Sequence, residues 1–165
     1  MSRVAAPCGT LYTFRSHPSM EFMFKKGILQ SFSPTERKNF IVQGTGALWM
    51  KAAMWLMVRA WYARRNFDGR SLLVNTVHDA AYFDSDASNA ERSAELMQAC
   101  MEGASILIEQ YLNWLIPLPV PSDTVLGANM GEENPCRWEG FRSNVDTFKA
   151  QLTATYLNNH TPSWL

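Results

Sequence analysis

His78 and Asp79 stand between two short stretches, 70–77 and 80–84, that are rich in apolar, β-branched or aromatic residues, the first of which contains the apolar run Leu72-Leu73-Val74. Two such runs joined by two residues read as a tight β-hairpin with the imidazole and the carboxylate at its tip. A carboxylate projecting from a hairpin tip is held more rigidly than one on a free loop, which is the placement a hard divalent cation requires. Asp84 and Asp86 follow closely. Strand alternation separates Asp84 from Asp79, since they lie an odd number of residues apart and so point to opposite faces. Asp84 and Asp86 therefore read as strand-end and helix N-cap residues. Aspartate is also an ordinary turn residue, so composition alone leaves the role of Asp79 open.

The elements that must position this turn can be read on either side of it. Residues 9–16 and 20–32 are aromatic and β-branched, with His17-Pro18-Ser19 between them, and predict two strands of an irregular hairpin. Ser33-Pro34-Thr35-Glu36 combines an N-cap serine, a proline at the first helical position and a glutamate three residues after the cap, which predicts a short helix ending near Gly44. Residues 45–66 contain good helix formers. Their first half is apolar on nearly every side and should be buried, while Arg59, Arg64 and Arg65 indicate that the end emerges. Residues 67–70 form a turn before the hairpin.

Ser88-Asn89-Ala90-Glu91 repeats the capping pattern and opens a long amphipathic helix to about Trp114. Met97, Met101, Ala104, Ile108 and Tyr111 share one face, with Glu91, Glu95, Gln98 and Glu102 on the others. Pro-rich residues 117–121 end it, 122–129 form a weak strand, 131–136 a loop or linker, 137–158 a further helix, and the remainder a loose tail. The expected fold class is α+β, an antiparallel sheet packed on two long helices.

The chain has 165 residues and 47% hydrophobic side chains, with nine Met and six Trp, enough for one core. No apolar run reaches the ~18 residues of a membrane span, and the N-terminus lacks a signal-peptide segment, so a soluble, cytoplasmic protein is expected. Cys8, Cys100 and Cys136 are far apart and without CxxC pairing, which argues against a disulfide framework, a zinc site and a hydrolase pairing His78 with a thiol. The zero net charge conceals an asymmetry: residues 1–70 carry 11 Lys/Arg against 3 Asp/Glu, and 71–165 carry 4 against 12, or +8 and −8. The basic half suits a polyanion; solvated surfaces of opposite sign give the same count.

Residues 33–54, SPTERKNFIVQGTGALWMKAAM, followed by 72–84, LLVNTVHDAAYFD, resemble the C-terminal part of the palm of family A DNA polymerases, most closely bacteriophage-type members. In that family an Asn, then a Gln four residues later in a QGT context, opens a palm helix, and a hairpin carrying Val-His-Asp follows. The resemblance spans about 9–133 and implies a C-terminal palm portion over 1–133, with a palm-like sheet and a catalytic-type hairpin; 134–165 is left as a helical extension of unassigned role. It implies that Asp79 binds the paired Mg2+ ions of nucleotidyl transfer, which activate the primer hydroxyl and stabilise the leaving oxygens. Two roles fit His78, a donor near the primer terminus or a plain turn histidine. Asn39 and Gln43 would donate to minor-groove acceptors common to all correct base pairs, or else cap the helix around Gly44. Arg37 and Lys38 would meet phosphates, or be exposed helix charges. Lys51 matches a basic residue of the family's helix with no assigned chemistry.

The chain departs from the family in three places. Ala80 stands where many members carry a second acid. The family's other catalytic aspartate, on an upstream strand, has no counterpart, and neither does the fingers helix that grips the incoming dNTP. The expectation is a palm subunit of a split DNA-directed DNA polymerase. Primer–template DNA and dNTP would be its ligands, and a complementary polymerase chain would supply the fingers, the thumb and the other aspartate. The alternative is a non-catalytic DNA-binding remnant of a palm.

Overall fold

The computed structural model describes residues 2–6, 8–117 and 120–157. The chain runs β1 (Ser2–Ala5), β2 (Leu11–Phe14), β3 (His17–Pro18), α1 (Glu21–Phe24), β4 (Gln30–Ser31), α2 (Pro34–Ala63) and α3 (Arg65–Gly69). It continues with β5 (Ser71–Val77), β6 (Ala80–Ser85), α4 (Ala90–Leu112), β7 (Val125–Leu126), β8 (Asn134–Pro135) and α5 (Phe141–Leu152), which ends in a π-helical turn, Thr153–Leu157. The tail at 158–165 and part of the 117–121 segment lie outside the described residues.

The fold mixes long helices with small antiparallel sheets, as the sequence predicts, but the strands are distributed differently. Among the described residues they form four separate pairs, β1–β2, β3–β4, β5–β6 and β7–β8, and not one sheet. The segment 20–32 is not one strand. It contains the short helix α1, and the chain closes back through β4 onto β3, while β2 pairs with β1. The 131–136 segment, read as a loop, supplies β8 against β7.

α2 begins where predicted. The Ser33 hydroxyl accepts from the Glu36 backbone N–H at 3.2 Å, and Pro34 takes the first turn. It does not stop at Gly44. One helix of 30 residues continues through Gly44 and Gly46, about 45 Å at 1.5 Å per residue. Each glycine costs only about 1 kcal/mol in a helix interior, too little to break a helix anchored by packing farther along. At Gly44 the missing side chain has a use, because the Tyr12 ring occupies the space a Cβ would fill. Tyr12 and Phe14 in turn meet Phe40 edge-on.

Burial along α2 is one-sided, contrary to the expectation of an all-round buried first half. Trp49, Ala53, Leu56, Met57, Ala60 and Trp61 face the core, whereas Lys51, Val58, Arg59 and Tyr62 face out. Residues 38–43 are exposed throughout, so the amino-terminal third overhangs the core. The facing surface on α4 uses Leu96, Ala99, Cys100, Ala104 and Ile108, and Gly103 admits a Leu56 methyl to within 3.4 Å of its would-be Cβ position. Asn113 stops α4 in a left-handed conformation, φ 48°.

The polar side of α4 is not a solvent face. α5 covers it, burying Phe141, Val145, Phe148 and Leu152 in the same core. Glu95 and Gln98 are buried as a result, and Glu95 accepts from Trp138 Nε1 at 2.9 Å and Asn144 Nδ2 at 2.8 Å. Glu102 accepts a two-pronged bond from Arg142 at 2.6 and 2.8 Å, with Lys149 at 3.7 Å. No described helix is long and apolar enough to cross a membrane.

Burial pushes the Glu102 carboxyl up, but hydrogen bonds from Arg142 and Gln98 and the charges of Arg142 and Lys149 outweigh it and hold the group below its ordinary value. A depressed carboxylate contributes stability that is complete above its unfolded-state pKa and is lost as pH falls through the folded-state value. Urea unfolding should therefore show stability declining below about pH 4.5, with a smaller decline in Glu102→Gln, which should also be less stable at pH 7. Identical acid limbs for both proteins would refute the α4–α5 linkage.

Candidate metal and nucleic-acid site

The His-Asp turn is held from the base of its hairpin. Ser71, the first residue of β5, is fully buried; its hydroxyl accepts from Trp61 Nε1 of α2 and from the Ser93 hydroxyl of α4, both at 2.9 Å. The Ser85 hydroxyl, at the end of β6, lies 3.4 Å from that of Ser93. Phe83 stacks on Trp61 with ring centroids 4.1 Å apart and planes inclined by 30°. One indole thus receives both the polar start of β5 and the aromatic end of β6. A buried N–H left without an acceptor is costly, which makes this geometry hard to exchange for another.

Beyond the base the hairpin leaves the core. Leu72 and Val74 are 45% and 59% exposed, and 75–79 are all exposed. The run Leu72-Leu73-Val74 is therefore not a strand emerging from a hydrophobic interior. The ribbon has two strands and only one face on the helices, so alternate apolar residues face water. The register slips between Leu73 and Asn75, a bulge at Val74 that re-aims the outer half. Val77 pairs with Ala80, leaving His78 and Asp79 as the two-residue turn, with His78 at φ 54°. A positive φ at the first loop residue matches the strand twist, and histidine is among the few residues with a Cβ that adopt it more readily than most.

Asn39 and Gln43 lie one turn apart on the overhanging part of α2, both exposed, with Lys38 exposed beside them. The Arg37 side chain lies outside the described residues. The side chains of Asn39, Gln43, His78 and Asp79 make no hydrogen bond or ion pair to any described residue, so all four are open to a ligand. The amides do not cap the helix at Gly44, which runs on unbroken.

The fit to Mg2+ is partial. Asp79 offers an unencumbered carboxylate, but among the described residues no three His, Cys, Asp or Glu side chains converge. Asp84 sits opposite Leu72 near the hairpin base, five residues and on the order of 15 Å along the strand from Asp79. Asp86 is engaged with Ser88, Asn89 and Arg70. Its hydrogen bond from Ser88, together with those from Asn89 and the Arg70 charge, holds its carboxyl below the ordinary range despite some desolvation. Asp86 is not the N-cap that the sequence suggests: that position is Asn89, which makes no side-chain cap, and Asp86 instead accepts from Ser88 and Asn89 within the turn before α4. A cation at Asp79 requires ligands from another chain or segment. Two of the thiols are held from ionising: burial pushes Cys100 up, and burial with the Glu91 and Glu95 charges pushes Cys136 up to about 11, whereas at Cys8 desolvation is outweighed by the hydrogen bonds with Thr10, which hold the thiol below its ordinary value.

The residues that position the turn, Trp61, Ser71 and Ser93, were not singled out from the sequence. Their only sequence signal is a serine opening an apolar strand, which is too common to stand out. No family model matches the chain, and no curated protein or solved structure is significantly similar to it.

Ser71→Ala removes the acceptor shared by Trp61 and Ser93 and should cost about 1–3 kcal/mol in denaturant unfolding. Hydrogen exchange should then quicken in β5 and β6 before it does in α4 and α5. Uniform quickening across the chain would show that the hairpin is not anchored there.

Proposed function

We propose that this chain is the palm portion of a split DNA-directed DNA polymerase resembling family A. Asp79 supplies one carboxylate of the two-Mg2+ site, and Asn39 and Gln43 read the minor groove of primer–template DNA. A complementary chain carries the other aspartate and the fingers helix that binds dNTP, and it completes a palm sheet for which the β5–β6 ribbon is the starting pair. The observation that carries this reading is the unpartnered Asp79 carboxylate at the tip of a ribbon whose base is pinned by Trp61. It occurs in the same chain, and in the same order, as the two unpartnered amides on α2.

Each group has a physical task in such a site. His78, beside the carboxylate, donates to a phosphate or sugar oxygen of the primer end. The amides at a four-residue spacing project from one helix face and donate to acceptors that every correct pair presents at the same position. Lys38 adds a phosphate contact that fixes register but reads no sequence. The large apolar side chains on the surface, among them Leu11, Phe22, Phe24, Ile41 and Val42, are what a chain built to meet another protein presents.

A second reading, a DNA-binding remnant without catalysis, is favoured by Ala80 and by the single carboxylate at the turn. The two readings separate in one experiment, with the chain combined with a complement carrying the missing aspartate and fingers helix. The polymerase reading expects Mg2+-dependent primer extension, reduced roughly 100-fold or more by Asp79→Asn, ~2.7 kcal/mol of barrier, while duplex affinity barely changes. Unimpaired extension by Asp79→Asn would remove the carboxylate from the mechanism. Duplex binding without extension in any combination is the remnant's signature.

Asn39→Ala and Gln43→Ala should each weaken primer–template binding by about 0.5–1.5 kcal/mol, the range of one net hydrogen bond. Fluorescence anisotropy across a salt series reads this. The salt slope should stay as in the parent, because neither amide neutralises a phosphate.

A further inference from the structure

At the base of the hairpin, the end opposite Asp79, lies a cleft of about 550 Å³ whose walls include Arg64, Arg70, Arg92, Ser88 and Asn89. The three guanidinium groups come from three places in the chain: the residue that ends α2, the approach to β5, and the first turn of α4. Arg64 donates to the Ala60 carbonyl at 3.0 Å and lies 5.4 Å from the centre of the Phe148 ring; no described carboxylate pairs with it. Arg92 has no ion-pair partner among the described residues. Burial first, and then the like charge of Arg92, hold the Arg64 guanidinium below its ordinary value.

Two carboxylates are close, and both are committed. Asp86 stands 3.5 Å from Arg70 while accepting from Ser88 and Asn89, and Asp68, on the cleft wall, lies 3.7 Å from Arg65. Positive charge therefore remains in excess. The wall between Arg64 and Arg70 is α3, where Arg65, Asn66, Phe67 and Asp68 all sit at φ 54–57°, a left-handed turn of four consecutive non-glycine residues. L-residues avoid that conformation, and it persists where surroundings over-determine it, most often at ligand clamps and other functional sites. Here the turn folds the chain back between two of the arginines.

We propose that this cleft is a phosphate-binding subsite, with Arg64 and Arg92 as the unpaired guanidinium groups that grip the anion and Arg70 as the third. Planar guanidinium forks match phosphate oxygens in pairs, and an anion relieves the repulsion among them. The phosphate belongs either to a free nucleotide or to a nucleic-acid backbone. The subsite is independent of the role of Asp79, which lies at the other end of the ribbon.

The test titrates inorganic phosphate, a deoxynucleoside triphosphate and a DNA duplex into the full chain, each at matched ionic strength and the duplex also across a salt series, with Arg64→Gln/Arg92→Gln as the altered protein and Arg59→Gln as a control. NMR of the wild-type chain provides a readout that needs no variant: phosphate, and not chloride, should shift the Arg64 and Arg92 side-chain N–H signals and the Ser88 and Asn89 amides. If the source is a free nucleotide, the double variant binds triphosphate at least tenfold more weakly and duplex unchanged. If it is a backbone, duplex affinity falls by a similar factor and its salt slope drops by about two. Absence of phosphate-specific shifts in the wild type, or binding in the double variant equal to that of the control, would overturn the proposal.

Discussion

The indole of Trp61 holds the molecule's two halves in register. Its N–H ends on a serine that opens β5, its face takes the phenyl ring that closes β6, and the same serine is tied to α4. A buried donor and a buried hydroxyl must satisfy each other, since neither can reach water. The ribbon therefore leaves the helices at one fixed place and direction. Whatever Asp79 does, it does at the end of a lever whose fulcrum is this contact.

The second constraint is that α4 is covered on two sides. α2 takes the surface of small and aliphatic residues, and α5 takes the surface on which Glu95, Gln98 and Glu102 lie. Covering three polar side chains is tolerable because each is matched: Trp138 and Asn144 donate to Glu95, Arg142 donates to Glu102 with Lys149 close by, and the Gln98 amide itself donates to Glu102. Most of this matching comes from residues after 134, so the acidic excess of the second half is partly internal. The basic residues of the first half are mostly at the surface, with Arg64, Arg65 and Arg70 gathered near α3.

Local signals were legible where they acted locally. Ser33, Pro34 and Glu36 announced the start of α2, the two runs around His78-Asp79 announced the hairpin, and the start near Ala90 and end near Leu112 of α4 were close to expectation. What failed depended on contacts distant in sequence. Gly44 reads as a stop, but Tyr12, 32 positions earlier, fills its missing volume. Glu95 and Gln98 read as wet because α5 is some 45 residues away. Residues 20–32 have strand composition, yet Met20 to Phe24 turn into α1, a choice that β-branched and aromatic content does not decide. The turn residues Asp79 and His78 were legible by type and place. The tryptophan–serine contact behind them was not, because neither residue type advertises a partner.

Among the described residues no further strand pairs with the β5–β6 ribbon, and β5 contains neither proline nor a charged residue to guard its main-chain edge. Such a border accepts a further strand through amide and carbonyl groups that every amino acid possesses. Joining there is indifferent to the identity of the incoming side chains, so the edge by itself selects no particular sequence. The same openness makes crowding hazardous for the isolated chain, because a second copy can present an equally acceptable strand.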